Sequence, residues 1–220
     1  MICGVIVVEA CVESLEAAVA AAVGGAQRLE LCANLAAGGT SPDGATLAAC
    51  VSQLAIPVFV MVRPRAGDFH YSDAEHARML NEIRRAKDAG AGGIVTGALR
   101  RGGTVDEART RGLIDAARPL PVTFHRAFDD CRDPAQALET VIGLGAARIL
   151  SSGGAGAATR GAALIAELVR LAAGRIGILA GGGINGDNVA GLVRTSGVRE
   201  VHLSTKDAEK IRRVVEALER

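Results

Sequence analysis

Glu9-Ala10-Cys11 and Glu30-Leu31-Cys32 repeat one pattern, a carboxylate and a thiol two residues apart at the end of an apolar run. Residues two apart in an extended chain share a face, so each pair projects to one side of its strand. If the two strands are parallel neighbours in equal register, both thiols reach the same mouth, where they suit a soft ion such as Cu(I). Cys11 and Cys32 equally suit a plain packing role, since buried free cysteines behave as small apolar fillers. The glutamates need more than packing, because a buried carboxylate requires a cation, a metal or a substrate beside it.

Other strand ends carry groups that titrate, donate or accept. The run Pro121-Val122-Thr123-Phe124-His125-Arg126-Ala127-Phe128-Asp129-Asp130 is a short apolar strand tipped with His125, Arg126, Asp129 and Asp130. The run Val62-Arg63-Pro64-Arg65-Ala66-Gly67-Asp68 is a stiff turn bearing fixed positive charge. A guanidinium fork there matches a carboxylate or phosphate, or else Arg63 or Arg65 neutralises Glu30 or Asp68. Ser151-Ser152-Gly153-Gly154 and Gly181-Gly182-Gly183 follow late strands, with His202 on the last. Such glycine turns present backbone N–H groups to an anion, or simply permit a tight turn. Taken together, Arg63, Arg65, Asp68, Arg126, Ser151, Ser152, Gly182, Gly183 and His202 are candidate ligand-binding residues. His125 with Glu9, Glu30 or Asp129 supplies acid–base groups for chemistry on a small anionic or phosphorylated molecule. No strand ends in lysine, which argues against a Schiff-base aldolase.

These residues need a scaffold that gathers strand ends. Strands are expected near residues 4–9, 27–32, 57–62, 92–96, 121–125, 147–151, 176–180 and 199–203. Helices are expected near 12–23, 42–53, 72–88, 104–117, 134–143, 159–172, 185–193 and 207–218. Eight such units, each about 28 residues long, predict an α/β fold in which a closed (β/α)₈ TIM barrel spans residues 1–220 as a single domain. Helix starts are marked by Ser72 with Glu75 three residues on, and by Asp133 before Pro134. Parity supports closure: Leu29 and Leu31 face one way, Arg28, Glu30 and Cys32 the other. Arg28, Arg148 and Glu200, near strand starts, are expected to pair in the barrel floor.

Composition narrows the function. The net charge is +1, from 25 basic and 24 acidic residues, which gives no reason to expect nucleic acid or an anionic membrane as partner. Aromatics are 2% and tryptophan is absent, so platforms for stacking bases are few. No apolar run is long enough to span a bilayer, and the N-terminus has no basic n-region, so a cytoplasmic protein is expected. Five scattered cysteines without a CxxC pair suit free thiols rather than a disulfide framework or a structural zinc site.

The blocks EACVES (9–14), GGAQRLELCANLAAGGTSP (24–42), PVFVMVRPRAGDFHYSDAE (57–75), PVTFHRAFD (121–129), ARILSSGG (147–154) and GGGINGDNV (181–189) resemble the copper homeostasis protein CutC family. The resemblance implies a TIM barrel, a cytoplasmic location, a homodimer or homotetramer, and a role in copper handling. It places the cysteines proposed to bind Cu(I) on Cys11 and Cys32. The family's mouth residues fall on Glu9, Glu30, Arg63, Arg65, Asp68, His125, Arg126 and Asp129. Ser151 replaces the usual threonine, and Thr205-Lys206-Asp207 leads almost directly into the last helix. Two functions therefore stand as expectations: Cu(I) binding through the thiols, or a lyase, isomerase or hydrolase acting on a small anion.

Overall fold

Short runs of valine, isoleucine and leucine between well-capped amphipathic helices suit a sheet covered by helix along its whole outer side. In the computed structural model, which describes residues 5–219, eight parallel strands close into a barrel in the order β1-β10-β9-β8-β7-β4-β3-β2. The barrel strands are β1 (Val7–Val12), β2 (Arg28–Leu31), β3 (Val58–Met61), β4 (Gly93–Thr96), β7 (Val122–Phe124), β8 (Arg148–Ser151), β9 (Gly177–Gly181) and β10 (Glu200–Ser204). The helices are α1 (Leu15–Val23), α2 (Gly44–Gln53), α3 (Asp73–Asp88), α4 (Glu107–Ala117), α5 (Pro134–Leu144), α6 (Ala162–Ala172), α7 (Val189–Ser196) and α8 (Ala208–Glu219). Ser72 and Glu75 form a full capping box on α3, and Asp133 caps α5 with Pro134 at its first position. Cys3 and the expected strand start at residue 4 lie outside the described residues; Cys11, Cys32, Cys50 and Cys131 are free thiols.

Strand parity divides the core. Leu29, Leu31, Val8 and Ala10 pack between sheet and helices, whereas Cys11, Cys32, Phe59, Met61 and Val95 cluster inside the barrel. Beneath that cluster lies a polar floor. Arg28 binds both Glu9 and Glu200, Arg148 Nε lies 3.2 Å from Glu200, and Arg148 Nη1 is 3.4 Å from Thr123 Oγ1. Phe59 roofs the floor, its centroid 5.2 Å from the Arg28 guanidinium and 5.0 Å from that of Arg148. Glycine at position 93 makes this possible, since a Cβ there would stand 2.4 Å from the Phe59 ring.

Three expectations need correction. First, β1 begins at Val7 and runs to Val12, because its ladder with β10 sets Val7 against Glu200 and Cys11 against Ser204. Second, β1 and β2 are not in equal register: Glu9 lies opposite Arg28, and Cys11 opposite Glu30. Tilted strands must slip in this way for a sheet to close, and the slip drops Glu9 one layer below Glu30. Third, four helices, α1, α4, α6 and α7, start three or four residues late. Residues 104 and 105 belong to a hairpin of β5 (Leu99–Arg100) and β6 (Thr104–Val105). Before α7, Asn185 Oδ1 accepts from the N–H groups of Asp187 and Asn188, closing a turn where a helix was expected.

Candidate functional site

The C-terminal ends of the strands surround a cavity of about 510 Å³, lined by Cys11, Glu30, Arg63, His125 and His202 among others. The slip between β1 and β2 decides what meets there. With Cys11 level with Glu30, its thiol donates to Glu30 Oε1 at 3.1 Å and lies 3.4 Å from Cys32 Sγ. From the other flank β10 delivers His202, whose Nδ1 is 2.8 Å from Glu9 Oε1. One ligand atom each from Cys11, Glu30 and His202 falls within 4.8 Å of the others, and all three residues are buried. These residue types and spacings could hold a metal ion, with the second thiol alongside.

Proton occupancy follows from the neighbours. Burial would raise Glu9, but the hydrogen bond and charge of His202 together with Arg28 bring it down to about 2. Burial opposes a charged His202, yet Glu30 and Glu9 raise it above the ordinary imidazole value. Glu30 is raised, by burial first and by the charge of Glu9. Cys11 is raised well above a free thiol by its hydrogen bond to Cys32, by burial and by the Glu30 charge. The thiol therefore holds its proton at neutral pH.

The opposite wall is built on Arg63 and His125. Arg63 Nη1 donates to the carbonyls of Gly39 (2.9 Å) and Gly38 (3.2 Å), and Nη2 to that of Gly67 (2.7 Å), stitching the loops after β2 and β3 together. The Phe69 ring sits 4.7 Å from the Arg63 guanidinium and 4.9 Å from the His125 ring centroid. His125 Nδ1 accepts the Ala127 N–H at 3.3 Å, which assigns the ring proton to Nε2 in the neutral form. Burial and the Arg63 charge hold His125 neutral, its pKa down at about 3. Glu30 Oε2, Arg63 Nε and His125 Nε2 are buried without a hydrogen-bond partner among the described residues.

The remaining candidates separate. Glu9 is fully buried below the cavity and belongs to the floor through Arg28. Arg65 and Asp68 do not line the cavity; they pair with each other at 2.9 Å, and Arg65 Nε also binds Glu75 at 2.6 Å. Asp129 accepts from Ser151 Oγ (2.6 Å), Ser152 Oγ (2.8 Å), Ser152 N (3.0 Å) and Arg126 Nε (2.8 Å), so it holds its neighbours rather than facing the cavity. Burial opposes its ionisation, but those donors pull its pKa below the usual carboxylate value. Arg126, Gly182 and Gly183 line the cavity. So do Glu13, Phe69 and Lys210, which the strand-end reading passed over because they sit in the loops beyond β1 and β3 and on α8. Phe69 had one signal, as an aromatic in a chain nearly without them.

A family model described as the CutC family matches residues 6–207. A CutC family protein of Pasteurella multocida is 48% identical over 199 residues, 90% of this chain and 82% of the relative. A copper homeostasis protein cutC homolog of Homo sapiens is 48% identical over 198 residues, 90% of this chain and 72% of the relative. Among solved structures, a CutC copper homeostasis protein of Streptococcus agalactiae superposes with a TM-score of 0.86 at 32% identity, covering 91% of this chain and 98% of that one. On sequence and on fold alike, this chain belongs to the CutC family.

Proposed function

We propose that the barrel mouth binds Cu(I) through the Cys11 and Cys32 thiolates, in keeping with the copper homeostasis role named for its relatives. The observation that carries this is the approach of the two sulfurs to 3.4 Å in a buried pocket that also holds an imidazole. With metal–sulfur bonds of about 2.3 Å, that separation subtends roughly 95° at an ion, too bent for two-coordinate binding. A third ligand is implied, and His202 supplies it. Its Nδ1 is engaged by Glu9, which orients the ring and leaves Nε2 for the ion, as carboxylates beside metal-bound histidines commonly do. Glu30, a hard oxygen donor, serves this soft ion better as acceptor of the displaced thiol proton.

An anaerobic Cu(I) competition titration of the reduced protein tests the proposal. Cys11→Ala and Cys32→Ser should each weaken binding by more than about tenfold, or roughly 1.4 kcal/mol. Unchanged affinity in both would make the thiols fillers and remove the copper reading. Cytoplasmic residence and assembly into two or four copies belong to the same proposal, and cell fractionation and sedimentation check them.

A second reading has its own observation. The cavity has far more room than one ion needs, and Arg63 Nε, His125 Nε2 and Glu30 Oε2 stand unpartnered in its walls. Unsatisfied buried polar atoms cost about 1–3 kcal/mol each, so a cluster of three is the mark of a binding site. Under this reading the protein is an enzyme of lyase, isomerase or hydrolase type acting on a small anion. His125 then acts as a neutral donor rather than as a base, because its Nδ1 is already committed to the backbone.

A further inference from the structure

Three consecutive backbone N–H groups, those of Gly182, Gly183 and Ile184, follow β9 at the cavity rim, and none has an acceptor among the described residues. The carbonyls of the same turn are occupied: Gly182 O accepts from Ala158 N at 2.9 Å and Gly183 O from Asn188 Nδ2 at 2.9 Å. Gly182 and Gly183 have φ values of 112° and 69°, a backbone form that glycine adopts without strain. The turn is thus anchored through its acceptors while its donors remain unused.

Two cations stand on the same rim. Arg126 is fixed from behind, its Nε on Asp129 at 2.8 Å and its Nη2 on Ser152 Oγ at 2.8 Å, with Nη1 unpaired among the described residues. Asp129 is itself held by Ser151, Ser152 and Gly154, so the guanidinium is positioned by a rigid turn rather than loosely displayed. Lys210, in the first turn of α8, uses one ammonium proton on Ser204 O at 2.8 Å and has two to spare. Glu13, the nearby carboxylate, is engaged by the Leu35 N–H at 2.7 Å. Donors carried after β7, β9 and β10 therefore line the same cavity as Cys11, Glu30 and His202.

We propose that the rim formed by Arg126, Lys210 and the Gly182–Gly183 amides is a phosphate subsite that takes a small phosphate monoester. Two fixed cations match a dianion, and fanned amides match its several oxygens. The cavity of about 510 Å³ leaves room for an organic part reaching from the rim toward Glu30 and His202. This rests on the second reading above and is independent of copper.

The test is calorimetric titration of the reduced, metal-free full chain with glycerol 3-phosphate, with glycerol and inorganic phosphate as controls. Glycerol 3-phosphate should bind at millimolar concentration or better, inorganic phosphate should compete with it, and glycerol should not bind. Arg126→Gln and Lys210→Gln should each weaken binding by about tenfold, the loss expected for one charge-assisted contact. Both variants should keep the wild-type Cu(I) affinity, and Cys32→Ser should lose Cu(I) while keeping glycerol 3-phosphate. Absence of glycerol 3-phosphate binding, or wild-type binding by both rim variants, would overturn the subsite, whatever the copper titration gives. Far-ultraviolet circular dichroism establishes that the variants are folded.

Discussion

His125 is neutral in the fold at pH values where the unfolded chain would charge it, so it links stability to acidity. Its folded pKa is about 3 against an ordinary 6.5. Below 6.5 the unfolded state therefore binds one more proton, and stability falls as pH drops from 6.5 toward 3, by up to about 1.4 kcal/mol per unit. His125→Gln should flatten this slope by close to one proton, as read from urea unfolding between pH 4 and 6.5; an unchanged slope would mean that the ring is protonated in the native state. Glu9 acts over a lower range. Its folded pKa of about 2 gives stability that is present above the ordinary 4.5 and is lost as pH falls through the folded value. At this scale the sequence was legible wherever side-chain parity decides. Alternation alone turned Arg28, Glu30 and Cys32 inward. It left open whether Arg65 would hold an anion or neutralise Asp68, because a loop carries no period from which direction can be read; Arg65 pairs with Asp68, and with Glu75 as well.

Strands and turns position these residues, and their tolerances are narrow. Gly93→Ala places a Cβ against Phe59 and should destabilise the barrel by about 1–3 kcal/mol, the usual cost of overpacking. Phe59→Leu in the same chain should recover part of that loss, so a double-mutant cycle measured by chemical denaturation should give a favourable coupling energy. Strict additivity would mean that the two positions do not meet. Asp129→Asn tests the turn after β8. An amide cannot accept from Ser151, Ser152 and Arg126 at once as a carboxylate does, so a loss of about 2 kcal/mol in thermal unfolding is expected, with weaker glycerol 3-phosphate binding. Boundaries of the barrel strands other than β1 were readable because β-branched runs alternate with capped helices. The hairpin at 99–105 was not, since its strands are two residues each and Thr104-Val105 also fits a helical period. Register between β1 and β2 was likewise hidden, because closure sets it and no local residue does.

Across the whole molecule, ligand binding and folding are linked, since the mouth exists only when the barrel is closed. At a free Cu(I) concentration about a hundredfold above its dissociation constant, the native state gains roughly 2.7 kcal/mol, worth about 5–10 °C of melting temperature in a chain of this size. Anaerobic scanning calorimetry should show that shift in the wild type and lose most of it in Cys32→Ser; an equal shift in both would place the ion elsewhere. No described helix is long and apolar enough to cross a membrane. The floor beneath the mouth has a further consequence. Glu9, Arg28, Glu200 and Arg148 join four strands in two acids and two bases. Removing one member strands a buried opposite charge, at a cost of about 3–5 kcal/mol, whereas exchanging a matched set for apolar side chains can be neutral. In a library of variants this layer should read as reciprocal sign epistasis: each single replacement is purged, selected combinations survive, and descendants of this barrel change their floor by compensated jumps rather than step by step.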